Sequence, residues 1–460
     1  MIRTIRFLLP ILLLAGVSWA SVPPETSRTL YEQVTPSLVA VQYAWVTELG
    51  RHELIGAGVV VGEDLVLVPL EFVSPQIPDE QMKDFKVIVP STTEDPQEID
   101  AVFEGRDERT NMGLVRAKTS QHWKPIKFED APLQVGDTIL SVGMLPQMAA
   151  YKSYIVESSV SALLRGETPQ VLVNGGGLAA VGSPVFNLDG KAVGVVMYQQ
   201  GQPLLLNDRR AALTSITSPP KLFVPARDFL LTMQDPPTPQ KAVELPWLGA
   251  PELKGLTKEV AEALNLKNQP AIQVEYVIPD APAAKAGLKQ GDIILKFNGK
   301  PLERGDEDTE LPEIFKRRML RYKPGQTVTI SVLREQDQPP KDIQITLGEQ
   351  PKRANTAKRF YAEDTGFVVR ELVFADTYMR HLPGDQKGVM VDLERPQSAA
   401  QVGGVKRGDI VIRLNNNPVE DLDGFEKAYK ALRKDHPRDP IVLVVQRENK
   451  EDTIRIEPPQ

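Results

Sequence analysis

Residues 178–196 read LAAVGSPVFNLDGKAVGVV. Two apolar runs, 184–186 and 192–196, flank Asn187-Leu188-Asp189-Gly190-Lys191. An Asp-Gly pair between such runs marks a turn joining two strands, the second of them Val-rich and buried. The same punctuation continues on the N-terminal side. Residues 39–45, 54–61, 65–68, 85–89, 101–103, 138–142, 153–160 and 192–198 read as short strands separated by Gly, Pro, Asp and Asn. That spacing is typical of antiparallel barrels, so the expected fold class is mainly β. Residues 222–233, LFVPARDFLLTM, carry apolar positions at helical spacing and are expected as a closing helix.

Two proline- or charge-rich seams divide the chain. Residues 233–246, MQDPPTPQKAVELP, form an extended and semi-stiff spacer. Residues 351–364, PKRANTAKRFYAED, lack an apolar period and are expected as a linker. If flexible, that linker would span roughly 20 Å root-mean-square. Three blocks follow, at 25–232, 247–350 and 365–458.

The second and third blocks repeat each other. One holds Ala283-Ala284-x-x-Gly287, then Gly291-Asp292-Ile293-Ile294, then Asn298-Gly299. The other holds Ala399-Ala400-x-x-Gly403, then Gly408-Asp409-Ile410-Val411, then Asn415, with Gly404 inserted. The glycines relieve a tight turn, the β-branched residues form a core strand, and Asn-Gly favours a type I′ hairpin. This resembles two tandem PDZ domains, each α+β. A PDZ domain captures a peptide C-terminus by adding it to a sheet edge. The resemblance places the capture loops at Leu248, Gly249 and Ala250 and at Thr365, Gly366 and Phe367. Pro251 departs from the pattern, because it offers no N–H to the ladder. Groove helices are expected at 311–322 and 422–432, with Leu311, Ile314, Phe315 and Met319 on one face of the first and Leu422, Phe425, Tyr429 and Leu432 on one face of the second; most of these read as core. Lys316, Arg317, Arg318, Arg321 and Lys323 make the first helix basic, which reads as a solvated face or as a surface steering acidic peptides.

The opening stretch resembles the nucleophile segment of the HtrA (Deg) branch of trypsin-like serine proteases. Gly182, Pro184, Asn187, Leu188, Asp189, Gly190, Lys191 and Gly194 match, and the resemblance extends through both PDZ blocks. It implies a trypsin-like double β-barrel at 25–232 followed by the two PDZ domains. The catalytic triad it would carry has changed at every position. Val181 stands at the nucleophile, Glu71 in the base-bearing segment, and Asn111 where the orienting aspartate belongs. A triad needs a hydroxyl, an imidazole and a carboxylate, and Val181 has nothing to deprotonate. An oxyanion hole at the amides of Val181 and Ala179 would by itself leave only about 10³–10⁴ over water. Ser183 lies two residues past the nucleophile position, His52 and His122 sit outside the base-bearing segment, and an unperturbed Glu71 is too weak a base. The expected function is therefore an exported HtrA-like protein that binds peptides or protein C-termini without cutting them, as a scaffold, chaperone-like or regulatory factor. The alternative is a serine endopeptidase with a non-standard catalytic arrangement.

Composition agrees with export. The chain has 460 residues, a net charge of −7 and no cysteine, which excludes disulfides and thiol chemistry. Residues 1–20 read as a signal peptide, with Arg3 and Arg6, an apolar core and a Ser18-Trp19-Ala20 cleavage site; the alternative is an uncleaved anchor. No later segment is apolar for long enough to span a membrane, so the periplasm is the expected compartment. The four histidines lack metal-ligand spacing, so neither a metal nor a cofactor is expected. The mild negative charge gives no reason to expect nucleic acid. Expected partners are unfolded polypeptides or C-termini and an active HtrA paralogue. The resemblance also implies a homotrimer, to which Tyr31, Tyr43 and Trp45 are candidate contributors, although barrel packing accounts for them equally.

Overall fold

The computed structural model describes residues 22–457, apart from 92–94, 120, 122, 167, 200–203, 207–217, 240–242, 267–268, 306, 336–337 and 448–449. The expected signal peptide and His122 lie outside the described residues.

The alternating runs of the first block become two closed six-stranded barrels. The first contains β1 (Leu38–Thr47), β2 (Gly50–Val60), β3 (Leu65–Pro69), β4 (Met82–Val89), β5 (Gln97–Asp107) and β6 (Met112–Ala117), in the order β1-β2-β3-β6-β5-β4. The second contains β7 (Thr138–Met144), β8 (Ser153–Leu164), β9 (Gln170–Gly175), β10 (Pro184–Asn187), β11 (Ala192–Val196) and β12 (Leu222–Pro225), in the order β10-β11-β12-β9-β8-β7. Closure leaves neither sheet an open edge. A helix not expected from the sequence, α1 (Pro24–Val34), precedes β1 and buries Leu30 and Val34.

The expected closing helix is half strand. Residues 222–225 pair with β11 and β9 and complete the second barrel; only α2 (Leu230–Gln234) is helical. The periodicity misleads because Phe223 and Val224 are both fully buried, one on each side of a strand, and Pro225 interrupts a helix. Tyr43 is a core residue: its ring stacks on Phe85 at 4.9 Å and its hydroxyl donates to Phe72 O at 2.8 Å. It is therefore not a surface contributor to an oligomer. Tyr31 donates to Ser153 O at 3.2 Å and Trp45 Nε1 to Gln81 Oε1 at 3.1 Å, so both also serve packing within the chain.

The third layer of the architecture is a pair of similar sheets. In the first, β14 (Glu252–Gly255), β15 (Ile272–Tyr276), β16 (Ile293–Phe297), β18 (Thr327–Leu333) and β19 (Lys341–Thr346) follow in order, with β17 (Lys300–Pro301) on β16. Outside this sheet, β13 (Pro246–Trp247) pairs with β20 (Gly348–Glu349). Three helices cover the sheet: α3 (Lys258–Ala263), α4 (Pro282–Lys285) and α5 (Leu311–Met319). In the second, β21 (Arg359–Ala362), β22 (Phe367–Glu371), β23 (Val389–Glu394), β24 (Ile410–Leu414), β26 (Ile441–Arg447) and β27 (Lys450–Ile456) follow in order, with β25 (Asn417–Pro418) on β24. Its helices are α6 (Phe374–Met379), α7 (Ala399–Gly403) and α8 (Leu422–Asp435). The repeated glycines take the left-handed backbone that the turn needs, Gly291 at φ 89° and Gly408 at φ 92°. The aspartates that follow them are buried and each receives a two-pronged arginine, Asp292 from Arg334 and Asp409 from Arg447, all four bonds at 2.7 Å. The inserted Gly404 is the left-handed C-cap of α7.

Candidate functional site

Glu71, Asn111 and Val181, the positions that the resemblance assigns to the triad, lie on segments that meet between the two barrels. β3 delivers Glu71 and the β5–β6 turn delivers Asn111. Leu70 N donates to Asn111 O at 3.0 Å, which ties the two segments together. From the second barrel, Gly182 packs on the same place: at its φ of 88°, a Cβ there would stand 3.0 Å from Ala57 O and 3.4 Å from Pro69 Cδ. Only glycine takes this backbone and this approach without strain, and it sets Val181 beside β3.

Val181 is 4% exposed and sits in an apolar run with Ala179 and Ala180, both buried. The backbone around it is committed internally. Ala179 N donates to Ser141 Oγ at 2.9 Å, Gly182 N to Val196 O at 2.8 Å and Ser183 N to Ala180 O at 3.0 Å. The Ala179 amide, one of the two expected oxyanion donors, is thus engaged with a neighbouring hydroxyl. Ser183 is buried, and its Oγ packs over Gly143 where a Cβ on that glycine would strike it. Among the described residues no hydrogen-bond partner reaches that Oγ. Of the described histidines, His52 is exposed on β2 beside Trp45, 6.1 Å between rings, and His381 and His436 belong to the last sheet domain.

Glu71 differs from the expected unperturbed carboxylate. Burial pushes it above the ordinary carboxylate range, while its own backbone amide pulls it back. Among the described residues its Oε2 has no hydrogen-bond partner. Burial also pushes the phenol of Tyr154, beside the Ala180 backbone, up to about 12, so it is no base near neutral pH. Asn111 sits in left-handed backbone at φ 58° and its Nδ2 donates to Thr168 Oγ1 at 3.2 Å. The same hydroxyl oxygen accepts from Arg317 on α5 at 2.6 Å. The turn holding Asn111 is anchored by the buried Asp107, which takes two bonds from the Arg109 guanidinium, at 2.8 and 2.7 Å, and one from Thr232 on α2 at 3.0 Å. This network was not visible in the sequence, since Thr232 is 125 residues away.

The two candidate capture loops share a fold and differ in access. Leu248 and Ala250 are buried, and the loop carbonyls are taken by α4 and its approach: Ala283 N donates to Leu248 O and Ile278 N to Gly249 O, both at 2.9 Å. Beyond the loop, β14 pairs only with β15, so its outer edge carries no strand among the described residues. The far end of that edge is closed, because Gly255 abuts Asp308 O and the start of α5. Thr365 and Phe367 are fully buried, and the Thr365 hydroxyl bonds the Tyr429 hydroxyl at 2.7 Å. Here β22 is paired on both edges, with β23 on one and β21 on the other. β21 lies within the stretch expected as a linker. It fills the slot beside α8, with Phe360 ring centroids 6.0 Å from Phe425 and 5.6 Å from Tyr429.

Residues 56–195 match the model of the trypsin-like peptidase domain, and residues 256–347 match that of the PDZ domain. The chain is 26% identical over 359 residues to a probable periplasmic serine endoprotease DegP-like from Rhizobium meliloti (strain 1021), covering 74% of this chain and 65% of that protein. It is 25% identical over 354 residues to the protein of that description from Hahella chejuensis (strain KCTC 2396), covering 74% and 69%. Among solved structures it resembles HtrA-type protease AlgW with tripeptide, at a TM-score of 0.54 and 19% identity, over 71% of this chain and 98% of that one. A second structure, AlgW with decapeptide, gives 0.53 and 18% over 71% and 99%. No helix among the described residues is long and apolar enough to cross a membrane, and none of their His, Cys, Asp and Glu side chains form a metal-binding group.

Proposed function

The chain belongs to the HtrA (Deg) family, and on that premise we propose that it holds polypeptide C-termini in its first PDZ domain without cleaving them. The observation that carries this is the buried Val181 at the nucleophile position. The engaged Ala179 amide supports it further. An active serine protease needs both an attacking oxygen and a donor pair aimed at the developing oxyanion. Ser183 is no substitute, being packed over Gly143 with no imidazole bonded to it among the described residues.

Binding falls to the first PDZ domain because β14 has an edge to offer and β22 does not. A peptide would add two or three residues to Glu252–Lys254 before meeting the turn at Asp308. The relatives are named periplasmic, and the periplasm is the compartment we propose.

Two assays test this. Casein and peptide hydrolysis by the purified protein should stay at background; turnover that disappears in Ser183→Ala would overturn the reading. A fluorescent peptide ending in a free apolar residue should bind, and its C-terminally amidated twin should bind at least about tenfold more weakly, since a charge-assisted contact of about 1.5–3 kcal/mol is lost. Equal binding of the two would remove the first PDZ groove from the account.

A further inference from the structure

A cavity of about 730 Å³ lies between the second barrel and α5. Its charge is one-sided. Among the described residues six arginines line it, Arg165 and Arg227 from the barrel and Arg304, Arg317, Arg318 and Arg321 from the first PDZ domain, and Glu303 is the only acidic residue. The sequence reads the basic run of this helix as a solvated face or as a surface steering acidic peptides. The fold turns Ile314, Arg317, Arg318 and Arg321 toward the barrel instead, while Leu311, Phe315 and Met319 enter the PDZ core. A chain of net charge −7 has thus concentrated cations at one internal junction.

The ion pairs of Arg227, Arg318 and Arg321 are long. Arg321 and Arg227 share the single carboxylate of Asp228, at 3.3 and 3.7 Å, and both arginine side chains are more than half exposed. Arg318 meets Glu303 at 3.5 Å, and Glu303 is 71% exposed. The Arg318–Glu303 pair rests on an exposed carboxylate and contributes about 0–1 kcal/mol, so an incoming carboxylate can replace Glu303 there. Guanidinium forks take carboxylates in a two-pronged geometry, and several converging forks select a ligand with several carboxylates.

We propose that this junction cavity binds an acidic polypeptide segment, carboxylate side chains inward. Its volume falls in the range of about 300–1,000 Å³ that accommodates multi-group ligands. The site is separate from the β14 edge and stands without peptide capture there. Arg317 also bonds Thr168, which bonds Asn111, so occupancy would touch the loop between β8 and β9 and the altered triad together.

The test uses the full chain and hexaglutamate, acetylated and amidated so that no terminus can enter a PDZ loop. Calorimetry should show binding that weakens from 50 to 200 mM salt, with no binding of hexaglutamine or hexalysine. Arg318→Glu on the PDZ side and Arg165→Ala on the barrel side should each weaken it about tenfold or more. Peptide with a free apolar C-terminus should bind both variants as it binds the parent, which shows them folded and reports on the first PDZ groove independently. The proposal is overturned if hexaglutamate fails to bind, if both variants bind it unchanged, or if inorganic phosphate or pyrophosphate binds as tightly as the peptide.

Discussion

Val181 is where the proposed absence of cleavage can be tested one residue at a time. Restoring the hydroxyl alone should not restore an enzyme. In Val181→Ser the new oxygen would find no imidazole at position 71, and the Ala179 amide would still point at Ser141. Hydrolysis of a peptide substrate by that variant should stay within about tenfold of background; a larger gain would mean that another base operates in the cleft. Glu71 gives a second residue-level prediction. Because burial raises its carboxyl, the folded chain binds that proton more tightly than the unfolded chain does. The resulting stability is fully present below the unfolded value, about 4.3, and is lost as pH rises through the folded value. Glu71→Gln cannot ionise. Its melting temperature should match the parent near pH ~4 and exceed it at pH ~8; a parent that melts higher at pH ~8 would mean that the ionised carboxylate has a partner.

At the scale of elements, the paired edge of β22 is the feature that separates the two PDZ domains. β21 makes four ladder positions with it, from Arg359 opposite Arg370 to Ala362 opposite Phe367, and Phe360 inserts between β22 and α8. A domain that uses its own strand this way gains core at the expense of a receptor site. Phe360→Ala should therefore destabilise the last domain by about 2–4 kcal/mol and speed amide exchange along β22, leaving binding to the first PDZ domain unchanged. Unchanged exchange at Phe367–Glu371 would mean that β21 is not what protects that edge. The repeated Gly-Asp turns, the core positions Leu311, Phe315 and Met319 of α5, the α8 face and most barrel strands were legible in the sequence, because each rests on a local period or a local turn. The role of residues 359–362 was not. Its segment alternates Arg-Phe-Tyr-Ala after a polar stretch, and four residues are too few to give a period. The β12 strand was misread for a related reason: Phe223 and Val224 are both buried in a closed barrel, so no alternation remains to distinguish strand from helix. The assignment of Glu71, Asn111 and Val181 to the triad rests on the resemblance to HtrA proteases. The Ala179–Ser141 bond and the raised Glu71 depend on burial and on strands far apart, and no local pattern announces them.

At the scale of the whole molecule, the last domain is clasped to the rest of the chain rather than strung beyond it. Arg359 meets Glu48 at 3.4 Å with both side chains mostly buried, and Arg353 meets Glu108 at 2.5 Å. On the other flank, Phe374 of α6 packs edge-on against Trp247 at 5.6 Å, and Tyr378 donates to Glu252 at 3.2 Å. The aromatic contact is worth about 0.5–1.5 kcal/mol beyond its area, and each ion pair about 0–1, more for the buried one. Summed, these hold the domain down by a few kcal/mol at most, so charge reversal should release it. Glu48→Lys with Glu108→Lys leaves Arg359 and Arg353 facing like charge. Limited proteolysis within residues 351–358 should accelerate by about tenfold or more, the equivalent of 1.4 kcal/mol of docking lost, and the radius of gyration in solution scattering should rise. Trp247→Ala should produce the same release from the opposite side without altering any charge. If neither variant changes cleavage or scattering, the contacts at Glu48, Glu108 and Trp247 do not restrain the domain. Tyr378 and Glu252 then matter for a different reason: Glu252 begins the edge that we assign to peptide capture, so a released α6 should leave that edge more accessible. Peptide affinity in the double variant should therefore stay equal to the parent or increase, whereas a decrease would show that α6 forms part of the capture site.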